Sequence, residues 1–247
     1  MNECVVQFTT PVEYRDGGGP MHVRHEEDAV TWLWAFPQLV CWPRPLEWLY
    51  TPVVGNRRWP GDLWGIDDGG ELLILECKQC RRRDDPFADF LRFHQPDREE
   101  LTASHWKRKF SLHLAAELKY ANGMQERPRG RTAGILPRSN RRTHLRRWPE
   151  LVAMIDSRIR DSAYATTVSG YLEVRAKAGN PIPNYLAYII QSRETMPVLT
   201  PAALTSARGL QARVGPERVG LLVVMATRSP EGTLSVRAVR SQPLLAA

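Results

Sequence analysis

Residues 60–78 read PGDLWGIDDGGELLILECK, and this stretch decides the fold. Two largely apolar runs, 62–67 and 71–78, flank Asp68-Gly69-Gly70, a turn sequence that is typical of a β-hairpin. Residues 72–75 are apolar without alternation, which indicates a central strand that is buried on both faces. The stretch therefore predicts a hairpin in the middle of a sheet.

The turn also predicts which residues of the hairpin face each other. If residues 68–70 form a three-residue loop, Asp67 pairs with Glu71, and Asp62 lies opposite Glu76. Opposed residues share a face of the sheet, and Lys78, two residues after Glu76, points to the same face. We therefore expect two carboxylates and one ammonium group to converge at the open end of the hairpin.

Two carboxylates this close repel each other unless a cation neutralises them. Mg²⁺, or Mn²⁺ in its place, suits oxygen ligands and usually takes one or two protein carboxylates together with phosphate oxygens of a substrate. Such an ion would activate a bound water, and Lys78 could stabilise the charge that develops on phosphorus. In the alternative interpretation, Asp62 is an ordinary acid at a strand end and Glu76 only forms a salt bridge with Lys78.

The rest of the chain alternates between helix and strand patterns, which predicts a mixed α/β fold. Apolar residues at helical spacing indicate a helix over 24–36 that ends before Pro37. Thr200 and Pro201 indicate the start of a helix that continues to about residue 214. The further predicted strands are 5–9, 46–54, 170–176, 184–191, 217–227 and 233–240, and the further predicted helices are 86–94, 99–121 and 150–163.

The composition is that of a globular protein of 247 residues, of which 43% are hydrophobic and 25% charged. No run reaches the ~18 apolar residues of a membrane span, and the first residues do not resemble a secretory signal. The four cysteines are too few for a disulfide framework, so the expected compartment is the reducing cytoplasm. Cys77 and Cys80 form a single C-x-x-C without a second one, and Cys77 is expected to pack in the core.

Positive charge is concentrated in one segment. The net charge is +7, and residues 127–149 contain eight arginines and no Asp or Glu, which leaves 7 − 8 = −1 for the remainder. A basic segment of this kind favours a polyanionic partner such as nucleic acid, although a solvated linker is the alternative. The basic residues expected to contact phosphate are Arg81, Arg82, Arg83, Lys107, Arg108, Lys109, Arg141, Arg142, Arg146 and Arg147.

The segment 24–94 resembles the PD-(D/E)xK nuclease superfamily, which has the restriction-endonuclease-like fold, and it is closest to the NucS/EndoMS-type endonuclease branch. Glu26-Glu27-Asp28, Leu33 and Pro37-Gln38-Leu39-Val40 match the first helix of that branch. Residues 62–78 match its hairpin. In the helix after the hairpin, Asp89 and Phe93 stand where the family usually has glutamine and tyrosine.

The resemblance implies roles for four residues. Asp62 and Glu76 would bind the metal, Lys78 would be the catalytic lysine, and Glu26 would be the helix carboxylate that faces the site. Glu27 competes for that last role, but helical spacing favours Glu26, which lies above the apolar face of the helix. Trp64 shares a face with Asp62 and either borders the substrate or packs in the core.

These observations divide the chain into a nuclease-like core over 21–125, a basic segment over 126–149 and an α+β part over 150–247. The last part either completes the first sheet or forms an accessory domain. The expected function is metal-dependent hydrolysis of DNA phosphodiester bonds. A nucleic-acid-binding module that does not cut, and an enzyme that cuts RNA, are the alternatives. A homodimer stays open, because cutting a duplex often needs two sites.

Overall fold

The structure is a computed structural model that describes residues 2–9, 26–50, 61–79, 85–94, 149–191, 199–229, 231 and 233–244. Seven strands form one mixed sheet with the order β1-β7-β6-β5-β4-β3-β2. The strands are β1 (Asn2–Thr9), β2 (Leu46–Tyr50), β3 (Leu63–Asp67), β4 (Leu72–Gln79), β5 (Asn184–Gln191), β6 (Val219–Arg228) and β7 (Thr233–Ser241). The predicted mixed α/β fold class is confirmed.

The sheet combines two antiparallel parts with a parallel centre. Strands β2, β3 and β4 are antiparallel neighbours, whereas β4, β5 and β6 run parallel, and β7 and β1 are again antiparallel. Strand β4 is an interior strand between β5 and β3, and it is buried on both faces, as its unbroken apolar run predicts. Strands β5, β6 and β7, within residues 184–241, belong to the same sheet as the hairpin.

Helices cover both faces of the sheet. On one face α2 packs against β5 and α5, where Phe90 lies beside Tyr185 and Arg213 donates to the carbonyl of Leu91. On the other face α1 packs under β2 and contacts α3, which in turn contacts α4. The helices are α1 (Glu26–Ala35), α2 (Pro86–Phe93), α3 (Pro149–Arg160), α4 (Ser162–Lys177) and α5 (Pro201–Val214). None of the described helices is long and apolar enough to cross a membrane.

The strand predicted over 170–176 is wrong, because these residues belong to α4. The helix begins after Asp161, whose side chain accepts a hydrogen bond from Ala163 N at 2.9 Å. Its buried residues recur at helical spacing and include a charged one: Tyr164, Val168, Leu172 and Arg175. The predicted helix over 150–163 is correspondingly two helices that meet at Asp161, and the helix predicted over 99–121 lies outside the described residues.

Asp67 organises the turn of the hairpin between β3 and β4. Its side chain is 1% exposed, and its Oδ1 accepts hydrogen bonds from Gly69 N and Glu71 N, both at 2.9 Å. Its Oδ2 accepts a third bond from Trp42 Nε1 at 2.8 Å. A buried carboxylate is tolerated when its oxygens are bonded in this way, so Asp67 holds the loop that sets the register.

His94 joins the end of α2 to β5. The residue is 3% exposed, and its Nδ1 lies 3.0 Å from the hydroxyl of Tyr185. Burial lowers the pKa of His94 below its ordinary value of 6.5, and the nearby charge of Arg213 lowers the pKa further. The folded protein therefore holds a neutral imidazole here at a pH where the unfolded chain already binds a proton.

The free energy of unfolding is expected to fall as the pH drops below 6.5, because protonation then favours the unfolded chain. The contribution is fully present above that value and is lost progressively down to the lower pKa of the folded state. His94→Gln should flatten the slope by up to about 1.4 kcal/mol per pH unit. Urea unfolding between about pH 7.5 and about pH 5 measures the pH dependence of the free energy of unfolding. Equal slopes for wild type and His94→Gln would contradict the prediction.

Candidate active site

The register of the hairpin places the predicted site residues at its open end. Leu63 pairs with Leu75 and Trp64 with Ile74, and Asp67 N donates to Glu71 O at 3.1 Å. The loop is therefore the predicted three residues, and the predicted register is confirmed. Asp62 lies just outside β3, where its N donates to Leu75 O at 2.7 Å, so the regular pairing stops before the predicted Asp62–Glu76 pair.

The regular ladder ends at Asp62, where two side chains replace the backbone as acceptors. In this register Cys77 would exchange hydrogen bonds with the backbone of Gly61. Instead, Cys77 N donates to Asp62 Oδ2 at 2.6 Å, and Gly61 N donates to Glu76 Oε2 at 2.7 Å. Each strand thus uses a carboxylate to bind an amide of the other strand, and both carboxylates are held in place.

Gly61 is required for this ending of the hairpin. Its φ is +93°, and a Cβ placed on it would lie 2.7 Å from Ile74 Cγ2 and 2.9 Å from the carbonyl oxygen of Leu75. The positive φ turns the chain so that Gly61 N reaches the Glu76 carboxylate, and only glycine adopts it without strain. Gly61 and Asp62 therefore act together, because each forms a hydrogen bond with β4 at the open end of the hairpin.

Lys78 completes the group on the same face as Glu76. The lysine Nζ lies 2.5 Å from Glu76 Oε1, and the side chains of Lys78 and Glu76 are 25% and 10% exposed. Glu76 thus accepts from Lys78 with one oxygen and from Gly61 with the other. The ammonium group is partly open to solvent, which leaves it able to meet a second anion.

The donor set fits a hard divalent cation. Asp62 and Glu76 offer carboxylate oxygens, which Mg²⁺ and Mn²⁺ prefer. A carboxylate has about four lone-pair sites, so one backbone bond on an oxygen leaves capacity for a metal. Among the described residues no group of three or more His, Cys, Asp or Glu is placed to hold an ion; two carboxylates are, however, the usual protein share of a magnesium site.

Glu26 is the first residue of α1, and its side chain is not among those described. Helix α1 lies on the face of the sheet that carries Trp48, because Trp48 Nε1 donates to Leu33 O at 2.9 Å. The position of Gly65 beside the Trp48 ring marks this as the face of Cys77, opposite to that of Glu76. Helix α1 therefore covers the face of the sheet opposite to the one that carries Glu76 and Lys78.

Trp64, Cys77 and Phe93 pack in the core. Trp64 is fully buried, and its ring meets the ring of Phe93 edge-on at 5.9 Å between centroids. Cys77 is also fully buried, as its alternation with Glu76 predicts. Asp89 lies on the surface of α2 and forms a salt bridge with Arg92. All ten basic residues that are predicted to contact phosphate lie outside the described residues.

Tyr188 is a neighbour of the site that the sequence analysis missed. It lies on β5 directly beside Cys77, and it is fully buried. Burial raises the pKa of its hydroxyl well above the usual range, and the charges of Asp62 and Glu76 act in the same direction. The hydroxyl therefore stays neutral. Parallel pairing between β4 and β5 joins segments about a hundred residues apart in sequence, and no local pattern announces it.

Searches of this chain against protein-family models, curated proteins and solved structures find no match.

Proposed function

We propose that this protein is a metal-dependent nuclease that hydrolyses DNA phosphodiester bonds at the open end of the β3–β4 hairpin. The observation that carries the proposal is the pairing of two carboxylates and one ammonium group there. Glu76 is bonded to Lys78 Nζ at 2.5 Å, and Asp62 accepts from the N–H of Cys77, the residue after Glu76, at 2.6 Å. The resemblance of residues 24–94 to the PD-(D/E)xK superfamily supports the same assignment.

Each residue has a defined task in this reaction. Asp62 and Glu76 would hold Mg²⁺ or Mn²⁺, and the ion would supply a water of lowered pKa together with charge neutralisation at the phosphate. Lys78 would stabilise the negative charge that builds on the phosphoryl oxygens, as fixed donors do in other hydrolases. The backbone bonds to Gly61 and Cys77 orient both carboxylates before any ligand arrives, which reduces the reorganisation that binding costs.

The positive charge elsewhere in the chain supports nucleic acid as the substrate. Eight arginines in 127–149 without an acidic residue would supply contacts to phosphate that do not depend on base sequence. Three more arginines, Arg81, Arg82 and Arg83, follow Cys80 in the sequence, just beyond the end of β4 at Gln79.

A cleavage panel tests this function. Full-length protein is incubated with single-stranded, duplex, mismatched and branched DNA and with RNA, in Mg²⁺, in Mn²⁺ and in EDTA. We expect cleavage of DNA with either metal and none in EDTA. Lys78→Gln should lower the rate by about 100-fold to 1000-fold, whereas Lys177→Gln, an exposed lysine at the end of α4, should leave the rate unchanged.

The other outcomes of the panel are equally informative. Cleavage of RNA alone would replace the proposed substrate with the alternative one. Binding without cleavage in any metal would favour a module that keeps the fold but does not cut. Cleavage by Lys78→Gln protein at the wild-type rate would refute the role of Lys78, and the Lys78–Glu76 pair would then be a structural salt bridge.

A further inference from the structure

Two cysteines from distant parts of the chain meet beside β7. Cys4 lies on the edge strand β1, where its Cα partner is Ala238. Cys41 follows the short 3-10 helix Pro37–Val40, and its Sγ lies 3.5 Å from the carbonyl oxygen of Ala238. Both cysteines therefore lie beside the same residue of β7, and Cys4 raises the pKa of Cys41, as a neighbouring side chain would.

The backbone at Cys41 is in an unusual conformation. Its φ is 53° and its ψ is 36°, in the left-handed region, which residues other than glycine, asparagine and aspartate seldom adopt. Glycine would fit this position without strain. A cysteine there is a conformational outlier, and such outliers concentrate at functional positions.

The surroundings differ for the two thiols. Cys41 is 6% exposed, whereas Cys4 is only partly buried. Arg240 lies close to both, and its guanidinium group stacks over the ring of Trp42 at 4.9 Å. Burial raises the pKa of Cys41 and Cys4 raises it further, while Arg240 opposes both effects. Cys4 is therefore the thiol that a small oxidant reaches more easily.

We propose that Cys4 and Cys41 are a redox modification site that forms a reversible intramolecular disulfide when the protein reacts with a hydroperoxide. Cys4 is oxidised first because it is the more accessible thiol, and Cys41 is the resolving thiol. The bond would join β1 to the segment that precedes β2 and close a loop of 41 − 4 = 37 residues. This loop includes α1, so the bond would connect the edge strand β1 to the segment that follows α1.

The reaction balances without any further cofactor. The thiolate of Cys4 attacks one oxygen of the peroxide, which forms a sulfenic acid and releases hydroxide. The Cys41 sulfur then attacks the Cys4 sulfur, the S–O bond breaks, and water leaves with the thiol proton. In sum two thiols and one hydrogen peroxide give one disulfide and two waters, and a thiol reductant reverses the oxidation.

Peptide mapping of the full-length protein tests the site. Reduced protein is treated with hydrogen peroxide, remaining thiols are alkylated, and the protein is digested without reductant. We expect a crosslinked peptide pair that contains Cys4 and Cys41, a mass decrease of about 2 Da, and full reversal by a thiol reductant. The midpoint of thermal unfolding should rise by at least about 5 °C on oxidation, because the closed loop constrains the unfolded chain.

Two variants separate this site from other cysteine chemistry. Cys41→Ser should abolish the crosslink and let Cys4 proceed to a sulfinic acid, a mass increase of about 32 Da. Cys80→Ser is the matched control and should leave the crosslink intact. If both Cys4 and Cys41 stay open to alkylation in oxidised wild-type protein, or if the only crosslink joins Cys77 to Cys80, the proposal is wrong. The wild-type map decides even if a variant fails to fold.

Discussion

Asp62→Asn is expected to abolish metal-dependent cleavage while leaving the fold nearly unchanged, whereas Asp62→Ala should damage both. The difference follows from the two tasks of this side chain. Its charge serves the metal in the proposed mechanism, and its Oδ2 accepts the amide hydrogen of Cys77 at 2.6 Å. Asparagine keeps a carbonyl oxygen for that amide but removes the charge, and alanine removes both.

The expected magnitudes are separable. Loss of a metal ligand should lower the cleavage rate of both variants by at least about 100-fold, or ~3 kcal/mol of barrier. Only Asp62→Ala should lower the free energy of unfolding, by about 1–3 kcal/mol, because it leaves the Cys77 amide without its acceptor at a buried position. Cleavage assays and urea unfolding measure the two effects on the same preparations.

Asp68→Asn is the matched control, since Asp68 is an exposed residue of the turn at the closed end of the same hairpin. It should keep both activity and stability. If Asp62→Asn protein cuts within about threefold of wild type, Asp62 holds no catalytic metal. If the Asp62→Ala protein is as stable as wild type, the Asp62 carboxylate does not stabilise the end of the hairpin, whatever its role in catalysis.

Arg175→Ala is expected to destabilise the protein by about 3–5 kcal/mol. Arg175 is fully buried on α4. Its guanidinium group donates to Gly70 O at 3.1 Å and to Pro181 O, and burial lowers its pKa to about 10. Alanine would leave a cavity and two carbonyl groups without their donor next to the hairpin turn.

Arg175→Met tests which part of this loss is packing. Methionine fills much of the same volume and removes a buried charge, so we expect it to be less destabilising than alanine by about 1–2 kcal/mol. Lys177→Ala, on the exposed end of the same helix, is the control for helix propensity and should change the free energy of unfolding by less than about 0.5 kcal/mol. Arg175→Ala within that same range would show that Arg175 is dispensable.

The sequence predicts the hairpin well because the information is local. Asp68-Gly69-Gly70 sets the loop, and the loop sets every pair up to the open end, as the observed pairing of Leu63 with Leu75 confirms. The strand over 184–191 and the Thr200 cap of α5 are also correct. In each case residues within a few positions of one another determine the conformation.

The failures arise where distant contacts decide. Residues 170–176 contain strand-forming residues, but α4 buries one stripe of its surface and includes Arg175 in it, and hydrophobic patterning does not count an arginine as a core residue. The face of the sheet that α1 covers depends on Trp48 and Leu33, which no spacing around Glu26 reveals. The second task of Asp62 and Glu76, the binding of amides, is likewise visible only in three dimensions.

The position of β1 has a consequence for how the chain folds during synthesis. Asn2 pairs with Arg240, so the ribosome makes the first strand 240 − 2 = 238 residues before its partner. At about 5–20 residues per second this delay is roughly 10–50 s. The hairpin around Asp68 can close long before that, whereas residues 2–9 wait unpaired until β7 emerges. Completion of the sheet at this edge therefore waits until β7 has been made, and until then the nascent first strand is exposed to pairing with other chains.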